Sequence, residues 1–425
     1  MSFLMQDTTT VSGQSGVAVI DADNRRVIFK IPSRVVLENL SVVSMKLGPE
    51  GVTEYFPDAA SLHDFTNPVV VKVSCRNVVE EWTLYAEQVE STVSMTGVDV
   101  WTRVAWLKAS GIEGGDNGFR IRKSGESVWR NVENVTSDGG SFSAMTGGLE
   151  PLTEYECVAF SGDEVTDVSK FTTDAEAQLP NSGFETFSKA ESSKYFSFYD
   201  PASSDPALQT KWWGSGNKGS TTVGSSFAIT KPDDAEKVEG EYSLKMASQY
   251  VIIKFAAGNV FSGEYVKTLG TSGGVIHLGR PFTLRPRKLF VWLKYKSGII
   301  QKKTLDGYPE DDVVKVGDND RGIVWVALGD WDFKEYGGTA DCPVEVNTTK
   351  KETFFDSKGP NVIAYGRFVT DHDMEWTKVE IPLEYVSTSR RPTHIIVSCA
   401  ASMLGDYFTG SPDSILWVDD FKLEY

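Results

Sequence analysis

The sequence predicts an all-β fold made of consecutive β-sandwiches. Nearly every apolar run alternates apolar and polar residues, as in Val69–Cys75 and Trp376–Leu383, and this period of two is that of a strand with one buried face. No segment of ten or more residues has an apolar stripe at helical spacing. At 425 residues, with 40% hydrophobic and 12% aromatic residues, the chain is long and apolar enough for two or three packed domains.

The charge and the cysteine content narrow the classes of partner. The 59 acidic residues outnumber the 42 basic ones, and the resulting net charge of −17 makes nucleic acids and anionic membranes poor partners. No run of 18 apolar residues occurs, so no transmembrane segment is predicted. The four cysteines are widely spaced; buried free thiols are the favoured interpretation, and a Cys342–Cys399 disulfide is the alternative.

Residues 1–88 are predicted to form an immunoglobulin-like β-sandwich. Val69–Cys75 and Glu81–Ala86 are alternating strands separated by a short polar turn, which predicts a hairpin. The segment resembles the small β-sandwich repeats at the N-terminus of Bacteroidetes surface proteins. The resemblance rests on a pattern that ends in Asp64–Val69 and Lys72–Arg76.

Residues 89–174 are predicted to form a fibronectin type III-like β-sandwich. The run Leu149-Glu-Pro-Leu-Thr-Glu-Tyr155 leads into an apolar strand and is similar to the tyrosine corner of fibronectin type III domains. In that motif a tyrosine hydroxyl bonds to the backbone a few residues upstream. The resemblance therefore implies a structural role for Tyr155.

Residues 179–425 are predicted to form a larger β-sandwich, a two-sheet jelly roll. An Asn/Gly turn opens this segment within Leu179–Glu185, and the strand Leu416–Tyr425, which contains two consecutive aspartates, closes it. The strands between these two motifs each have one apolar face, as in a sandwich.

The same segment resembles the putative carbohydrate metabolism domain of Bacteroidetes envelope proteins. Besides the opening and closing motifs, the resemblance is carried by Trp212–Asn217, Asn259–Gly263, Gly279–Phe282, Arg285–Arg287, Trp325–Trp331, Ile363–Gly366, Ile381–Tyr385, Arg391–Ile395 and Gly405–Gly410. It implies a jelly roll behind immunoglobulin-like modules on an exported protein of a glycan-using bacterium. The start of the chain lacks the charged and apolar regions of a signal peptide, so either the protein is cytoplasmic or a signal sequence has been removed. The resemblance favours removal and implies a location in the periplasm or at the outer-membrane surface. Lipid-anchored or outer-membrane assembly proteins are the protein partners that such a location implies.

Three loops of the predicted jelly roll combine aromatic side chains with planar polar groups. Sugar binding needs both, because pyranose rings have apolar faces and polar hydroxyls. Together the loops predict a carbohydrate pocket, although core packing is the simpler explanation for any single aromatic residue. The predicted sugar-binding residues are Trp212, Trp213, Asn217, Trp331, Tyr365, Asp406, Tyr407 and Thr409. Arg280, Arg285 and Arg287 are expected either to bond sugar hydroxyls or carboxylates or to cover an edge strand.

Glycoside hydrolysis is the alternative function. It needs two carboxyl groups roughly 5–9.5 Å apart. Asp330 and Asp332, which follow a strand, are the best candidates because residues two apart on a strand share a face, and Asp406 or Glu384 are possible partners. The Glu-x-Asp-x-x-Glu strand of laminarinase-like jelly rolls is absent, so glycan binding is favoured over hydrolysis. A structural or fimbria-like surface component is the third hypothesis.

No cofactor is required by these motifs, but a structural Ca²⁺ is one interpretation of the opening and closing motifs. Calcium takes six to eight oxygen ligands. If the motifs meet, Asn181 and Glu185 come near Asp419 and Asp420, and the resemblance to calcium-bearing carbohydrate-binding jelly rolls supports a site there. The alternative is that Asn181 forms a turn and the aspartates are solvated. Asp318–Gly322 begins like an EF-hand loop but lacks the glutamate at position twelve, which excludes that site.

Overall fold

The computed structural model describes residues 9–425 except 13, 15–17, 34, 49–50, 91, 302 and 304–313. Most of the N-terminal stretch that bears on a signal sequence lies outside the described residues. The chain divides into two compact units, residues 1–173 and 174–425. Strands dominate both units, so the predicted all-β class is confirmed.

The first seven strands form a five-stranded and a two-stranded sheet around one core. They are β1 (Thr10–Val11), β2 (Val19–Asp21), β3 (Arg26–Pro32), β4 (Val42–Ser44), β5 (Thr53–Phe56), β6 (Val69–Cys75) and β7 (Val78–Val89), with one-turn 3₁₀ helices at Leu37–Asn39 and Ala59–Ser61. The larger sheet has the order β2-β3-β7-β6-β5. Val27, Phe29 and Ile31 of β3 are buried in a core shared with Trp82 of β7, as their alternation predicts. The predicted hairpin is β6–β7.

The next nine strands form two sheets that share a second core. They are β8 (Ser94–Val100), β9 (Val104–Ser110), β10 (Asn117–Lys123), β11 (Arg130–Asn131), β12 (Thr136–Asp138), β13 (Ser141–Gly147), β14 (Glu154–Ser161), β15 (Glu164–Val165) and β16 (Ser169–Thr172). One sheet has the order β12-β13-β9-β8; the other has β11-β10-β14-β15 with β16 beside β14. The Tyr155 hydroxyl accepts the Glu150 amide at 3.0 Å, which is the bond predicted for a tyrosine corner.

The second unit contains the remaining strands and three short helices. They are α1 (Pro206–Gln209), β17 (Trp213–Gly214), α2 (Asn217–Ser220), β18 (Thr230–Asp233), β19 (Ser243–Ala247), β20 (Gln249–Val251), β21 (Lys254–Ala256), β22 (Asn259–Leu269), β23 (Gly273–Leu278), β24 (Arg280–Pro281), β25 (Lys288–Lys296), β26 (Gly322–Gly329), α3 (Phe333–Tyr336), β27 (Val344–Asn347), β28 (Val362–Thr370), β29 (Met374–Pro382), β30 (Glu384–Tyr385), β31 (His394–Ala400) and β32 (Ile415–Glu424). One-turn 3₁₀ helices occur at Thr221–Val223, Ser225–Phe227, Lys351–Thr353 and Gly405–Tyr407.

Two sheets of this unit form a β-sandwich. One has nine strands, in the order β27-β23-β22-β31-β26-β28-β30 with β17 beside β22 and β24 beside β31. The other has five, in the order β18-β19-β32-β25-β29. Val324 and Val326 of β26 share one core with Leu289 and Val291 of β25, and all four are at most 1% exposed. The predicted larger sandwich is therefore confirmed.

The opening and closing motifs of this unit meet at one end of the core. The Phe421 amide donates to the Ser182 carbonyl at 3.1 Å, and the rings of Phe184 and Phe421 lie 6.0 Å apart. The four cysteines of the chain are all buried and free, as the favoured interpretation held, and the alternative disulfide does not form.

Candidate functional site

The outer face of the nine-stranded sheet is unusually apolar around β26. Val324, Val326 and Leu328 are in the sandwich core, at 0–1% exposed. The intervening Trp325 therefore lies on the opposite face, half-buried and in register with Ser398 of β31. The outer face of an antiparallel sheet usually carries polar side chains. An indole at this central position predicts that something other than bulk water covers the face.

A cavity of about 610 Å³ lies over this face. Its floor consists of outward-facing residues of β22, β23, β26 and β31. Its walls are the segment 216–223 around α2, the hairpin β20–β21, the end of the hairpin β22–β23 and the loop 402–408. Cavities of roughly 300–1,000 Å³ are the usual size for small-molecule sites.

Seven aromatic residues line the cavity. Trp325 stacks on Phe355, with ring centroids 4.6 Å apart and an interplanar angle of 22°. Tyr265 reaches into the wall because Gly219 and Gly274 leave room for it; a Cβ at either position would collide with its hydroxyl. The set is Tyr250, Phe255, Phe261, Tyr265, Trp325, Phe355 and Phe408. These rings offer a large apolar surface with defined orientation.

At least three lining side chains have unused hydrogen-bonding capacity. Asn259 accepts the Gly216 amide with its Oδ1 at 2.7 Å, while its Nδ2 makes no hydrogen bond to any described residue. The Ser398 hydroxyl and the Asp406 carboxylate also have no partner within the described part of the chain. The cavity therefore presents an amide donor, a hydroxyl and a carboxylate acceptor.

Asp406 and Lys254 are the two charged residues among the described cavity lining. Asp406 is exposed to solvent, yet the surrounding walls desolvate its carboxyl and raise its pKa to about 6. The Lys254 ammonium donates to the carbonyl oxygens of Thr271 (2.8 Å) and Ser272 and lies 3.7 Å from the centre of the Phe408 ring. Burial lowers the pKa of Lys254.

The hairpin β20–β21 turns through two isoleucines at the cavity. Ile252 and Ile253 are 69% and 76% exposed, and both line the cavity. Ile252 has φ = 60°, a left-handed conformation that β-branched residues disfavour. Asn or Gly is the usual residue in such a two-residue turn. Strain of this kind tends to persist at ligand-binding segments.

The predicted residues of the Trp212 loop lie at the sandwich core and do not line the cavity. Trp213 is 1% exposed and donates its Nε1 to the Pro180 carbonyl at 2.9 Å. Trp212 is partly buried against it, with ring centroids 4.5 Å apart. Asn217 is fully buried; its amide donates to the Thr230 carbonyl at 2.6 Å, and its Oδ1 accepts the Thr230 amide at 3.0 Å. These contacts show that Trp213 and Asn217 stabilise the fold.

Two further predicted residues, Trp331 and Tyr365, lie behind the aromatic wall. Trp331 is 4% exposed and packs edge-on against Phe355, with centroids 6.1 Å apart. Tyr365 is half-buried, and its ring lies 6.4 Å from that of Phe355. Both therefore support a ring that lines the cavity without lining it themselves.

The predicted residues of the last loop differ from one another in position. Asp406 lines the cavity. Tyr407 packs edge-on against Phe354, with centroids 5.0 Å apart, and Thr409 is fully buried. Asp406 is thus the one predicted sugar-binding residue that the structure places in the cavity, and sugar contact through the others stays a prediction.

The predicted catalytic pair does not line the cavity. Arg390 donates to both carboxylate oxygens of Asp330, at 2.7 and 2.9 Å, and Asn361 donates to one of them at 3.1 Å. Asp332 caps the N-terminus of α3 by accepting the Lys334 amide at 3.0 Å. Both carboxylates have structural partners, so catalysis by this pair stays a prediction without support from its surroundings.

The three arginines are also placed away from the cavity lining. Arg280 donates its Nε to the Trp212 carbonyl at 2.9 Å. Arg285 is 2% exposed and pairs with Asp174 at 2.9 Å, while Arg287 is exposed. These contacts show that Arg280 and Arg285 brace the fold, and both expectations for the three arginines stay predictions.

The predicted calcium ligands Glu185 and Asp419 come close together. Asp419 is fully buried, and its Oδ2 accepts the amides of Val238 (2.9 Å) and Glu239 (3.0 Å). Glu185 accepts the Tyr242 amide at 3.2 Å. Burial raises the pKa of Asp419, and the charge of Glu185 adds to this rise.

The other two predicted ligands fit a metal less well. Asn181 donates its Nδ2 to the Thr186 carbonyl at 2.8 Å and accepts the Thr186 amide at 3.0 Å, which forms the turn that was the alternative interpretation. Asp420 is partly exposed, with φ = 44°. Over the described ranges of the chain, no group of three or more His, Cys, Asp or Glu side chains is arranged to hold a metal.

Sequence reasoning missed most of the cavity. The apolar run around Trp325 predicts a strand, but the sequence alone does not say which face of that strand meets the core. One usable signal was present: Trp325 alternates with Val324 and Val326, so the bulkier aromatic residue belongs to the face opposite two valines. The isoleucine pair Ile252-Ile253, which has no turn-forming residue, carried a second signal.

The comparisons with known proteins agree with a carbohydrate-related second unit. The family described as "Putative carbohydrate metabolism domain" matches residues 183–424. No curated protein matches the sequence significantly. None of the described helices has the length and apolar character needed to cross a membrane.

Three of the solved structures that match this chain come from Bacteroidetes. A putative glycoside hydrolase from Bacteroides vulgatus is 21% identical, over 57% of this chain and 96% of that one, with a TM-score of 0.42. Another from Bacteroides thetaiotaomicron is 13% identical, over 98% and 95%, with a TM-score of 0.38. A surface glycan-binding protein from Prevotella bryantii is 11% identical, over 99% of each chain, with a TM-score of 0.22. Similarity at these scores does not bear on function.

Proposed function

Because the chain belongs to the family of the putative carbohydrate metabolism domain, we propose that its second unit binds carbohydrate in the cavity over the nine-stranded sheet. One observation carries this proposal: seven aromatic residues and at least three side chains with free hydrogen-bonding capacity line one cavity of about 610 Å³. Sugars need this pairing, because C–H faces pack on rings while hydroxyls need polar partners.

The polar groups of the cavity match the chemistry of sugar hydroxyls. A hydroxyl both donates and accepts, so it can accept from Asn259 Nδ2, donate to Asp406 and do either with Ser398. A purely apolar ligand would leave these groups unpaired inside the cavity, which is unfavourable. The lining therefore favours a polyhydroxylated ligand with apolar faces over a lipid.

Replacing Trp325 by Ala tests the proposal. The substitution removes a ring from the cavity floor and should weaken binding of oligosaccharides on the order of tenfold, with little change in unfolding. Binding is measured by a glycan array followed by calorimetric titration of the sugars retained. Trp292→Ala is the matched control, because Trp292 is a similarly half-buried tryptophan on β25 of the other sheet. Absence of binding to every neutral and acidic glycan, or equal affinity in both variants and wild type, would contradict the proposal.

Binding without hydrolysis is the form of this function that the geometry favours. A glycoside hydrolase needs an acid and a second carboxylate flanking the scissile bond. Asp406 is the one carboxylate among the described residues that line the cavity. If wild type releases reducing sugar in the same titrations, the protein is a glycoside hydrolase and binding without hydrolysis is contradicted.

An exported location at the cell envelope belongs to the same proposal. The resemblance to envelope proteins supports it, and so does the net charge of −17, which disfavours nucleic acids and anionic membranes as partners. A glycan-binding protein there would hold carbohydrate near the cell for uptake or attachment. Assembly partners in the envelope stay an expectation.

A calcium ion held by Glu185 and Asp419 is a further part of the proposal. Two close carboxylates repel each other, and Ca²⁺ would neutralise them with oxygen ligands. At about a hundredfold excess over its dissociation constant, bound calcium adds about 2.7 kcal/mol, or about 5–10 °C in Tm. Calorimetry in millimolar CaCl2 and in EDTA measures this difference, which should vanish in Glu185→Gln. Equal Tm values for wild type in both buffers would contradict calcium binding at these carboxylates, which then accept hydrogen bonds from backbone amides alone.

A further inference from the structure

The two charged side chains of the cavity differ in whether they already bond to the protein. The described lining contains one cation, Lys254, and one anion, Asp406. Lys254 is committed to the protein: it bonds the carbonyls of Thr271 and Ser272 and covers one face of Phe408. These hydrogen bonds connect the hairpin β20–β21 to the end of the hairpin β22–β23, so the ammonium stabilises the contact between two walls of the cavity.

Asp406 has no corresponding commitment. It lies in the one-turn helix Gly405–Tyr407, and its carboxylate makes no hydrogen bond or ion pair with any described residue. A carboxylate that caps a helix or braces a loop accepts amides or pairs with a cation, as Asp332 and Asp330 do in this unit. Asp406 instead leaves both oxygens for whatever enters the cavity.

We propose that the cavity selects its ligands by charge, taking neutral oligosaccharides and excluding those that bear carboxylate or sulfate groups, and that Asp406 sets this selection. The inference rests on the proposed carbohydrate binding and specifies the ligand class of the same site. An ionised Asp406 accepts hydrogen bonds from sugar hydroxyls. It repels a second anion strongly, because the cavity walls screen charges less than bulk water does. The one lining cation among the described residues, Lys254, points its ammonium at the carbonyls of Thr271 and Ser272, so it offsets that repulsion only in part.

The test compares neutral and acidic oligosaccharides on wild type, Asp406→Asn and Asp413→Asn. The neutral probes are cello-, xylo-, manno- and laminari-oligosaccharides; the acidic probes are oligomers of galacturonate and mannuronate and a sulfated glycan. Asp413 is an exposed carboxylate outside the cavity, so its substitution changes net charge equally. Titration at about 0.3 M salt screens the general acidity of the surface, because the Debye length is then well below about 8 Å.

Wild type and Asp413→Asn are expected to bind at least one neutral series and to bind acidic series at least about tenfold more weakly. In Asp406→Asn the ratio of neutral-sugar affinity to acidic-sugar affinity should be about tenfold smaller, chiefly because this variant binds acidic sugars more tightly. Acidic sugars bound by wild type as tightly as neutral ones would overturn the inference, as would an unchanged ratio in Asp406→Asn. Failure of every sugar to bind would instead remove the proposed function, so the two failures are distinguishable.

A second measurement keeps the test decisive if Asp406→Asn folds poorly. Protonation of Asp406 in wild type removes the same charge without a substitution, and uronates remain ionised at pH 5. Desolvation by the cavity walls raises the pKa of Asp406 to about 6. The ratio of neutral-sugar affinity to acidic-sugar affinity should therefore be smaller at pH 5 than at pH 8. The other titratable groups of the described lining are Lys254, Tyr250 and Tyr265. A ratio constant from pH 5 to pH 8 would also overturn the inference.

Discussion

Replacing Trp213 by Ala should destabilise the second unit by about 3–5 kcal/mol, the range for a large aromatic residue removed from a packed core. The ring is 1% exposed and lies 5.1 Å from Phe184 and 5.6 Å from Phe421, centroid to centroid. Its Nε1 donates to the Pro180 carbonyl, so truncation also leaves that carbonyl without its partner. For a unit of this size the loss corresponds to about 10 °C in Tm.

The reason for so large an effect is the position of Trp213 between the opening and closing motifs. Phe184 belongs to the first and Phe421 to the second, and Trp213 contacts both. Loss of its ring would open a cavity where the two ends of the unit are joined, and the rigid turn around Asn181 limits collapse into that space.

Chemical unfolding and calorimetry measure this prediction, with Trp292→Ala as control. Trp292 is half-buried outside the sandwich core, so its truncation should cost much less. The folded fraction of Trp213→Ala should keep wild-type affinity for any sugar the protein binds. Normal unfolding with lost binding would show instead that Trp213 contacts sugar, as the sequence first predicted.

The strands of this protein could be predicted because their signal is local. The alternation of Trp376–Leu383 corresponds to β29, observed at Met374–Pro382, and the run ending in Tyr155 correctly indicated a tyrosine corner. Both inferences need only a few neighbouring residues and the geometry of one strand or one turn.

The candidate site was harder to predict because a sugar pocket and a core closure use the same residue types. Trp213 and Asn217, an aromatic residue and an amide in a Gly-rich loop, have the composition of a binding loop. In the structure they instead donate hydrogen bonds to the backbone carbonyls of Pro180 and Thr230. Conversely, Trp325 and Phe355 stand 30 positions apart in sequence and form one stack only through strand pairing and a loop return. Nothing local marks such a pair.

Replacing Asp320 by Ala should cost about 3–5 kcal/mol of stability, although the sequence marks this residue only as part of the excluded EF-hand-like run. Asp320 is 3% exposed. Its Oδ2 accepts the hydroxyls of Ser402 (2.6 Å) and Ser414 (2.8 Å) and the Ser411 amide (2.7 Å). Truncation strands these three donors, and each buried unsatisfied donor costs about 1–3 kcal/mol. Asp320→Asn keeps an oxygen for them and should cost less than half as much.

The pH dependence of stability provides an independent check on this carboxylate. Burial raises the pKa of Asp320, and the hydrogen bonds only partly oppose that rise. Since the folded-state pKa exceeds the unfolded one, the favourable contribution of the protonated group is fully present below the unfolded pKa. It is lost as pH rises through the folded pKa. As pH rises, the free energy of unfolding of wild type should therefore fall relative to that of Asp320→Asn. A difference between the two proteins that does not depend on pH would contradict a raised pKa.

The same carboxylate should also control the cavity, because its partners bracket the loop that carries Asp406. Ser402 lines the cavity and is bonded to both Asp320 and Ser248, while Ser411 lies just beyond the loop. In Asp320→Ala the Ser411 amide loses this partner and Ser402 keeps only its bond to Ser248, so amide hydrogen exchange in residues 403–410 should accelerate more than in β25 or β32. Sugar affinity should fall with it, because an ordered wall must then be re-formed on binding. Uniform acceleration across the whole unit would mean that Asp320 supports only global stability, and unchanged exchange in the loop would mean that the serines hold it without the carboxylate.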